Sequence, residues 1–409
     1  MKQMLINAQN IENLLIEDGI IRSIDTSMQH VQECEQIDCS GCIIWPGLID
    51  SHVHFRTPGE EYKEDWNTGS AAALAGGVTT VVDMPNNKPS ITTSALFVEK
   101  RACVLQNATI DFRLTVGVTD QSFDAIIDAE REAVAIKVYM GMSTGGMVMA
   151  QSDALEYLFA HTTKLLMIHA EDEQTVQKNA AQYEQNTNCD PSIHSRIRSK
   201  EAAIIATQRA LELAKKYQRT IYFCHISTKE EIELIEQARR DGIQAYIEVT
   251  PHHLFLHEES YTSLGTFAKV NPPLRTRADN DALWEAIRTG IVDVIATDHA
   301  PHTIEEKQQS YWKAPAGMPG IELLFPLLLT ACHEGKITLE DIQRCCISNP
   351  ANIFGCEKEI AVGKKADMVI FNPSVEWVVE RNMLHSKCGW SPYEGWKLTG
   401  KVIRTIKQL

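Results

Sequence analysis

TIYFCHISTKEEIELIEQARRDGIQAYIEV, residues 220–249, decides the fold. Two β-rich apolar runs, 220–225 and 243–249, flank a helical pattern over 228–240. That pattern opens on Thr228 with Glu231 three residues on, the spacing of a capping box. Strand, helix and strand with no hairpin turn between them make the βαβ unit of a parallel sheet. Working outward, similar apolar runs recur at 77–84, 109–116, 133–139, 164–169 and 291–296, and a run over 41–49 leads into His52. A second clear helical pattern covers 199–217. Eight strands with helices between several of them predict a (β/α)8 barrel over residues 46–357. An open doubly wound sheet is the competing arrangement, but no Gly-x-Gly-x-x-Gly turn follows the first strand. The two ends differ: residues 1–45 and 358–409 carry short alternating segments, including a hairpin around Asp18-Gly19. Neither can bury its own apolar face, so the two are expected to pair into one small, sandwich-like β-domain.

The chain has 409 residues, 54 acidic and 39 basic, for a net charge of −15. With no basic stripe, nucleic acid and anionic membranes are poor partners. No signal-like N-terminus or membrane-length apolar run is apparent. Eleven cysteines, an odd number scattered along the chain, predict reduced thiols in a cytoplasmic protein. The adjacent Cys345-Cys346 reads as core packing.

In such a barrel the chemistry sits at the C-terminal ends of the strands. Asp50-Ser-His-Val-His54 ends strand one, and Thr297-Asp-His-Ala-Pro-His302 ends strand eight. His52 and His54, two apart on a strand, point to one side and can reach one ion. Strand four carries Lys137, strands five and six end at His169 and His225, and strand eight ends at Asp298. Either His-x-His or an acid alone is an ordinary strand edge; together they form a ligand set for Zn²⁺ or another borderline divalent ion. Lys137 fits only if its amine is neutral and has taken up CO2. The resulting carbamate is anionic and has two oxygens to bridge two metals. Otherwise Lys137 is a snorkelling side chain.

Several longer strings resemble the amidohydrolase superfamily, and within it most closely the dihydroorotases. They are Asp50-Ser-His-Val-His-Phe-Arg-Thr-Pro-Gly59, Asp83-Met-Pro-Asn86, Ile136-Lys-Val-Tyr-Met-Gly141, Met167-Ile-His-Ala-Glu-Asp172, Cys224-His-Ile-Ser-Thr228, Glu248-Val-Thr-Pro-His-His-Leu254, Val270-Asn-Pro-Pro-Leu-Arg275 and Ala296-Thr-Asp-His-Ala-Pro-His302. Ala314-Pro-Ala-Gly-Met-Pro-Gly320 and Ser391-Pro-Tyr-Glu-Gly-Trp396 carry the likeness nearly to the end. The resemblance implies two zinc ions, one on His52, His54 and Asp298, the other on His169 and His225, bridged by carboxylated Lys137. It implies reversible cyclisation of N-carbamoyl-L-aspartate to L-dihydroorotate in pyrimidine biosynthesis, through metal-activated hydroxide with Asp298 as proton carrier. It assigns Arg56, Asn86 and His302 to the substrate carboxylate, and the loops at Asn271 and Ala316 to the ring amides through backbone groups. Relatives are often homodimers.

Asn87 stands where many relatives have threonine, and Thr57 where glutamate is common; neither change removes a ligand. A dihydropyrimidinase or allantoinase is the nearest alternative. Dihydropyrimidinases carry a tyrosine five residues past the lysine, where this chain has Met142. A non-catalytic relative would have lost ligands, and none is lost here. Arg56 is expected on the same side of strand one as the two histidines. His299 and Glu171 are candidates for orienting ligands, and His252 and His253 for structural support or catalysis. His30, His161, His257, His333 and His385 read as surface residues, and His194 has no clear part. Gly145-Gly146 and the turn at 317–320 are candidate points of backbone adaptability.

Overall fold

The computed structural model of the chain describes residues 2–24, 34–121, 125–142, 147–186 and 189–408. His30 and Gly145-Gly146 lie outside them. The barrel strands are β1 (Leu48–Val53), β2 (Val78–Asp83), β3 (Asp111–Leu114, resuming at Val116–Gly117), β4 (Ala135–Tyr139), β5 (Leu165–His169), β6 (Ile221–Phe223), β7 (Ala245–Val249) and β8 (Val294–Ile295). Every neighbouring pair is parallel. The ring closes past the end of β8, where His54 N–H donates to His299 O at 2.8 Å and His299 N–H to His52 O at 3.3 Å. Asp50 adds a side-chain link, accepting from Thr297 N–H at 3.0 Å and from its hydroxyl at 2.5 Å.

Strands buried on both faces read as continuous apolar runs, and β2, β4 and β6 are buried along their whole length. Helices cover the outside. In Lys229–Arg240, Thr228 and Glu231 make both reciprocal capping-box bonds. That helix buries Ile232, Ile235 and Ala238 and exposes Glu233, Gln237 and Arg240. Each fully buried isoleucine contributes roughly 1.5–3 kcal/mol, which seats the helix on the barrel. The Cys345-Cys346 pair is fully buried in a π-helical turn, Arg344–Ser348. Among the described residues, no helix is long and apolar enough to cross a membrane.

The terminal segments form two small sheets. Lys2–Ile6, Asn13–Glu17, Ile20–Ile24 and Glu35–Asp38 form one sheet, and Ile43–Pro46, Asp367–Val378 and Lys397–Lys407 a second. Leu5, Leu14, Ile16 and Ile21 meet Ile44, Met368 and Ile370 in a common core. Asp18 and Gly19 both take positive φ, 51° and 74°, as a tight hairpin demands. One expectation needs correcting: the apolar run at 41–49 is not all barrel strand. Ile43–Pro46 belongs to the second small sheet, and the chain crosses at Gly47 into β1, because Trp45 and Ile44 pair with Val369 and Ile370. Within the C-terminal segment, Trp390 and Tyr393 pack with Leu256, Leu274 and Met318 over the barrel mouth.

Candidate active site

Six side chains from five strand ends meet at the C-terminal mouth. His54 Nε2 lies 2.8 Å from Asp298 Oδ1, and His52 Nε2 lies 3.4 Å from the same oxygen. Lys137 Nζ reaches to 3.3 Å from His52 Nε2. The outer nitrogen of each ring is already engaged, His52 Nδ1 with Glu248 Oε1 at 2.8 Å and His54 Nδ1 with Asn86 Oδ1 at 2.5 Å. Oxygen acceptors at Nδ1 place the hydrogen there and leave Nε2 with a lone pair. Lone pairs facing a carboxylate oxygen repel unless a proton or a cation lies between them. This is the arrangement of imidazole ligands held by outer acceptors. The ligand atoms of His52, His54 and Asp298 all lie within 4.8 Å of one another.

A second pair stands beside the first. His169 Nε2 meets Glu171 Oε2 at 2.8 Å, and its Nδ1 faces His225 Nε2 at 3.1 Å. Arg198 holds Glu171 from behind. Burial keeps His169 and His225 below the usual imidazole range, so both are neutral donors of lone pairs. Burial, opposed by Asp298, also takes His54 down to about 4. His52 differs. Against burial and Lys137, the Glu248 and Asp298 carboxylates push it up to about 10, a field that favours any cation at that point. Although burial opposes it, the imidazoles of His52 and His54 hold Asp298 well below the usual carboxylate range, so it is ionised.

The backbone is forced here as well. Arg56, His225 and Asp298 have φ of 60°, 38° and 47°, three of the six non-glycine residues with positive φ among those described. Such conformations cost about 1–3 kcal/mol each and persist where the surroundings impose them. The turn at Arg56 corrects the strand-alternation argument: β1 ends at Val53, and Arg56 reaches the cavity from the loop beyond it.

A cavity covers the cluster, with Arg56, Asn86, Tyr139, Asn271 and Ala316 in its wall. Arg56 is 2% exposed, its Nε donating to Pro301 O at 3.1 Å. No carboxylate among the described residues forms an ion pair with it; Glu60 is taken by Lys63 and Lys88. Glu60, Asp298 and Glu306 act on it only through space, and a buried guanidinium without a direct carboxylate partner is suited to an anionic ligand. His302 does not line the cavity. Its Nε2 accepts from Arg56 Nη2 at 3.1 Å, bracing the guanidinium from behind, and lies equally near Ala316 O. Burial and the nearby Arg56 charge keep it neutral.

The loops bearing Asn271 and Ala316 are tied down. Lys307 is fully buried and donates to Lys269 O, Pro315 O and Gly317 O at 3.1, 3.0 and 2.9 Å. Lys269 donates to Tyr311 O and Ala314 O, both at 2.7 Å. His194 now has its part: Nδ1 meets Tyr311 Oη at 2.8 Å, and Nε2 meets Val270 O and Asn271 Oδ1 at 2.9 Å. The turn at 317–320 is thus pinned rather than loose at Gly317. His253 bonds Thr250 Oγ1 and Pro272 O, at 2.8 and 3.0 Å, a supporting role. His161, His333 and His385 are exposed, and His257 is half-buried.

Glu171 does orient a histidine, but His299 orients none of the cluster. Its Nδ1 accepts from Gly320 N–H at 3.1 Å and its Nε2 turns towards Glu64 at 3.4 Å, away from the cavity. The acid that holds His52 is Glu248, a residue for which the sequence alone indicates no role. A carboxylate inside the apolar run of β7 was the available signal.

The amidohydrolase family profile matches residues 43–408. The chain is 39% identical to the dihydroorotase of Methanosphaera stadtmanae, covering 97% of this chain and 92% of that protein. It is 38% identical to the dihydroorotase of Pyrococcus furiosus, covering 99% and 89%. Among solved structures, L-hydantoinase (dihydropyrimidinase) from Arthrobacter aurescens superposes with a TM-score of 0.91 at 28% identity, covering 99% of this chain and 94% of that one.

Proposed function

The chain belongs to the amidohydrolase family, and from that premise we propose that it is a dihydroorotase, closing N-carbamoyl-L-aspartate to L-dihydroorotate reversibly, a step of pyrimidine biosynthesis. The observation that carries this choice within the family is the buried Arg56 guanidinium, which has no ion-pair partner and sits in the wall of the cavity above the imidazole cluster. A ring bearing a carboxylate satisfies it; a neutral ring leaves it bare.

The donor set supports two divalent ions. His52, His54 and Asp298 would hold one, His169 and His225 the other, and a carbamate on Lys137 would bridge them. Imidazole and carboxylate donors favour zinc. When bound, the ions supply a water of lowered pKa and a Lewis acid beside the ring carbonyl. The remaining work falls to the chain's own groups. Glu248, Asn86 and Glu171 fix the tautomers of three ligating imidazoles. Arg56 receives the substrate carboxylate with a planar fork of donors, and His302 and Pro301 O hold that fork in place. Asn86 lines the same wall, and the backbone at Asn271 and Ala316 faces the ring amides. Asp298, ionised in the resting protein, takes a proton from the attacking water and delivers it to the leaving ring nitrogen. Ring closure runs the same transfer backwards.

The unpaired state of all eleven cysteines and the acidic net charge support a reducing, cytoplasmic setting. The same reading divides the chain into a barrel, 46–357, and an accessory β-domain built from 1–45 and 358–409. The test is ring opening by the purified protein on L-dihydroorotate, hydantoin and dihydrouracil in parallel. Dihydroorotate is expected to win by on the order of 10²-fold or more in kcat/KM; a preference for either neutral ring would refute the assignment.

A further inference from the structure

One group in the cavity wall has no task in this scheme. Tyr139 ends β4, two residues past Lys137 and opposite His169 in the β4–β5 register. Its ring centroid lies 5.1 Å from Lys137 Nζ and 5.7 Å from the His169 ring centroid. The side chain lines the cavity and is 3% exposed, yet its hydroxyl is buried with no hydrogen-bond partner. Buried phenols normally find one. Tyr222, equally buried, has two, Ser51 Oγ at 3.0 Å and Glu248 Oε2 at 2.7 Å. Phenylalanine would fill the same space without the cost of a bare hydroxyl.

Its place on the rim narrows what it can meet. The Arg56 charge reaches the phenol across the shared cavity, but the hydroxyl makes no bond to the guanidinium, whose Nε and Nη2 are held by Pro301 O and His302. The phenol stands instead with Lys137 and His169, where the ring amide reacts. We propose that Tyr139 donates its O–H to the carbonyl oxygen of the reacting amide as negative charge gathers there, a contact absent from the resting protein. The phenol keeps its proton throughout; only a hydrogen bond forms and is released. The inference rests on the ring-opening reading above.

The test compares Tyr139→Phe with wild type, both as full-length, metal-replete protein, for Tm, bound metal, kcat and KM on dihydroorotate. Loss of a transition-state donor predicts kcat lower by about 10- to 1,000-fold with KM within about threefold. Tm and metal content are expected to stay level or rise, because the hydroxyl makes no bond to lose. The proposal is overturned by kcat within about twofold of wild type, by a loss confined to KM, or by a loss that tracks lower Tm or lower metal. If the wild type itself leaves dihydroorotate closed, the functional assignment fails instead, and the Tm comparison still tests whether the resting hydroxyl is unbonded.

Discussion

Replacing Arg56 by methionine removes a charge and a fork of donors while keeping a chain of similar length in the cavity wall. The guanidinium is 2% exposed, holds only Pro301 O and the neutral His302, and has no acidic partner. Two charge-assisted bonds to a substrate carboxylate are worth about 1.5–3 kcal/mol each. Losing both costs ~3–6 kcal/mol, or roughly 10²–10⁴ in kcat/KM for dihydroorotate. Hydantoin has no carboxylate and loses nothing equivalent; wild type must even hold the cation unpaired beside it. Its kcat/KM is therefore expected to change by less than about tenfold and in either direction. Removing a buried, unpaired charge is neutral or favourable to the fold, so Tm is expected to hold. The assay is steady-state ring opening on both substrates with each protein. Equal losses on the two rings would refute the reasoning and move the carboxylate site elsewhere.

Asp298→Asn keeps the shape of the cluster and removes the proton carrier, so turnover is expected to fall by about 10²–10⁴ while metal stoichiometry holds; near wild-type turnover would exclude the role. Glu248→Gln weakens the acceptor behind His52 Nδ1, and metal affinity by chelator competition is expected to drop about 10- to 100-fold; unchanged affinity would contradict it. Lys269 is lowered to about 8 from 10.5, by burial and then Arg198. A lysine depressed in the folded state disfavours folding below pH 8, and the penalty lifts as pH rises from about 8 towards 10.5. In urea titrations, wild type is therefore expected to gain stability relative to Lys269→Met across that interval; a flat difference would show that the ammonium is not destabilised.

The barrel was legible because strands buried on both faces must be apolar throughout, and the cluster was legible because five of its six residues end or follow such a run while Lys137 interrupts one. Where the reading failed, local pattern and tertiary pairing disagreed. The apolar run at 41–49 is continuous, yet the antiparallel partner at Asp367–Val378 captures its first half. Arg56 was placed by alternation, but the strand ends before it and a left-handed turn brings it round. His299 sits next to Asp298, and the backbone between them turns it the other way, towards Gly320. Lys307, Lys269 and His194 could not be read at all. They serve backbone carbonyls of the 269–272 and 311–317 loops, and carbonyls leave no mark in side-chain sequence. Glu248 and Tyr139 were visible as polar residues inside apolar strands, a signal as plain as Lys137.

The central claim is that these imidazoles and carboxylates gather two cations. Anomalous diffraction from crystals of the purified protein, with elemental analysis of the same sample, tests it most directly. Two ions per chain are expected, one at His52, His54 and Asp298 and one at His169 and His225, with electron density extending from Lys137 Nζ between them. Protein that opens dihydroorotate at full rate with no stoichiometric metal in those positions would contradict it.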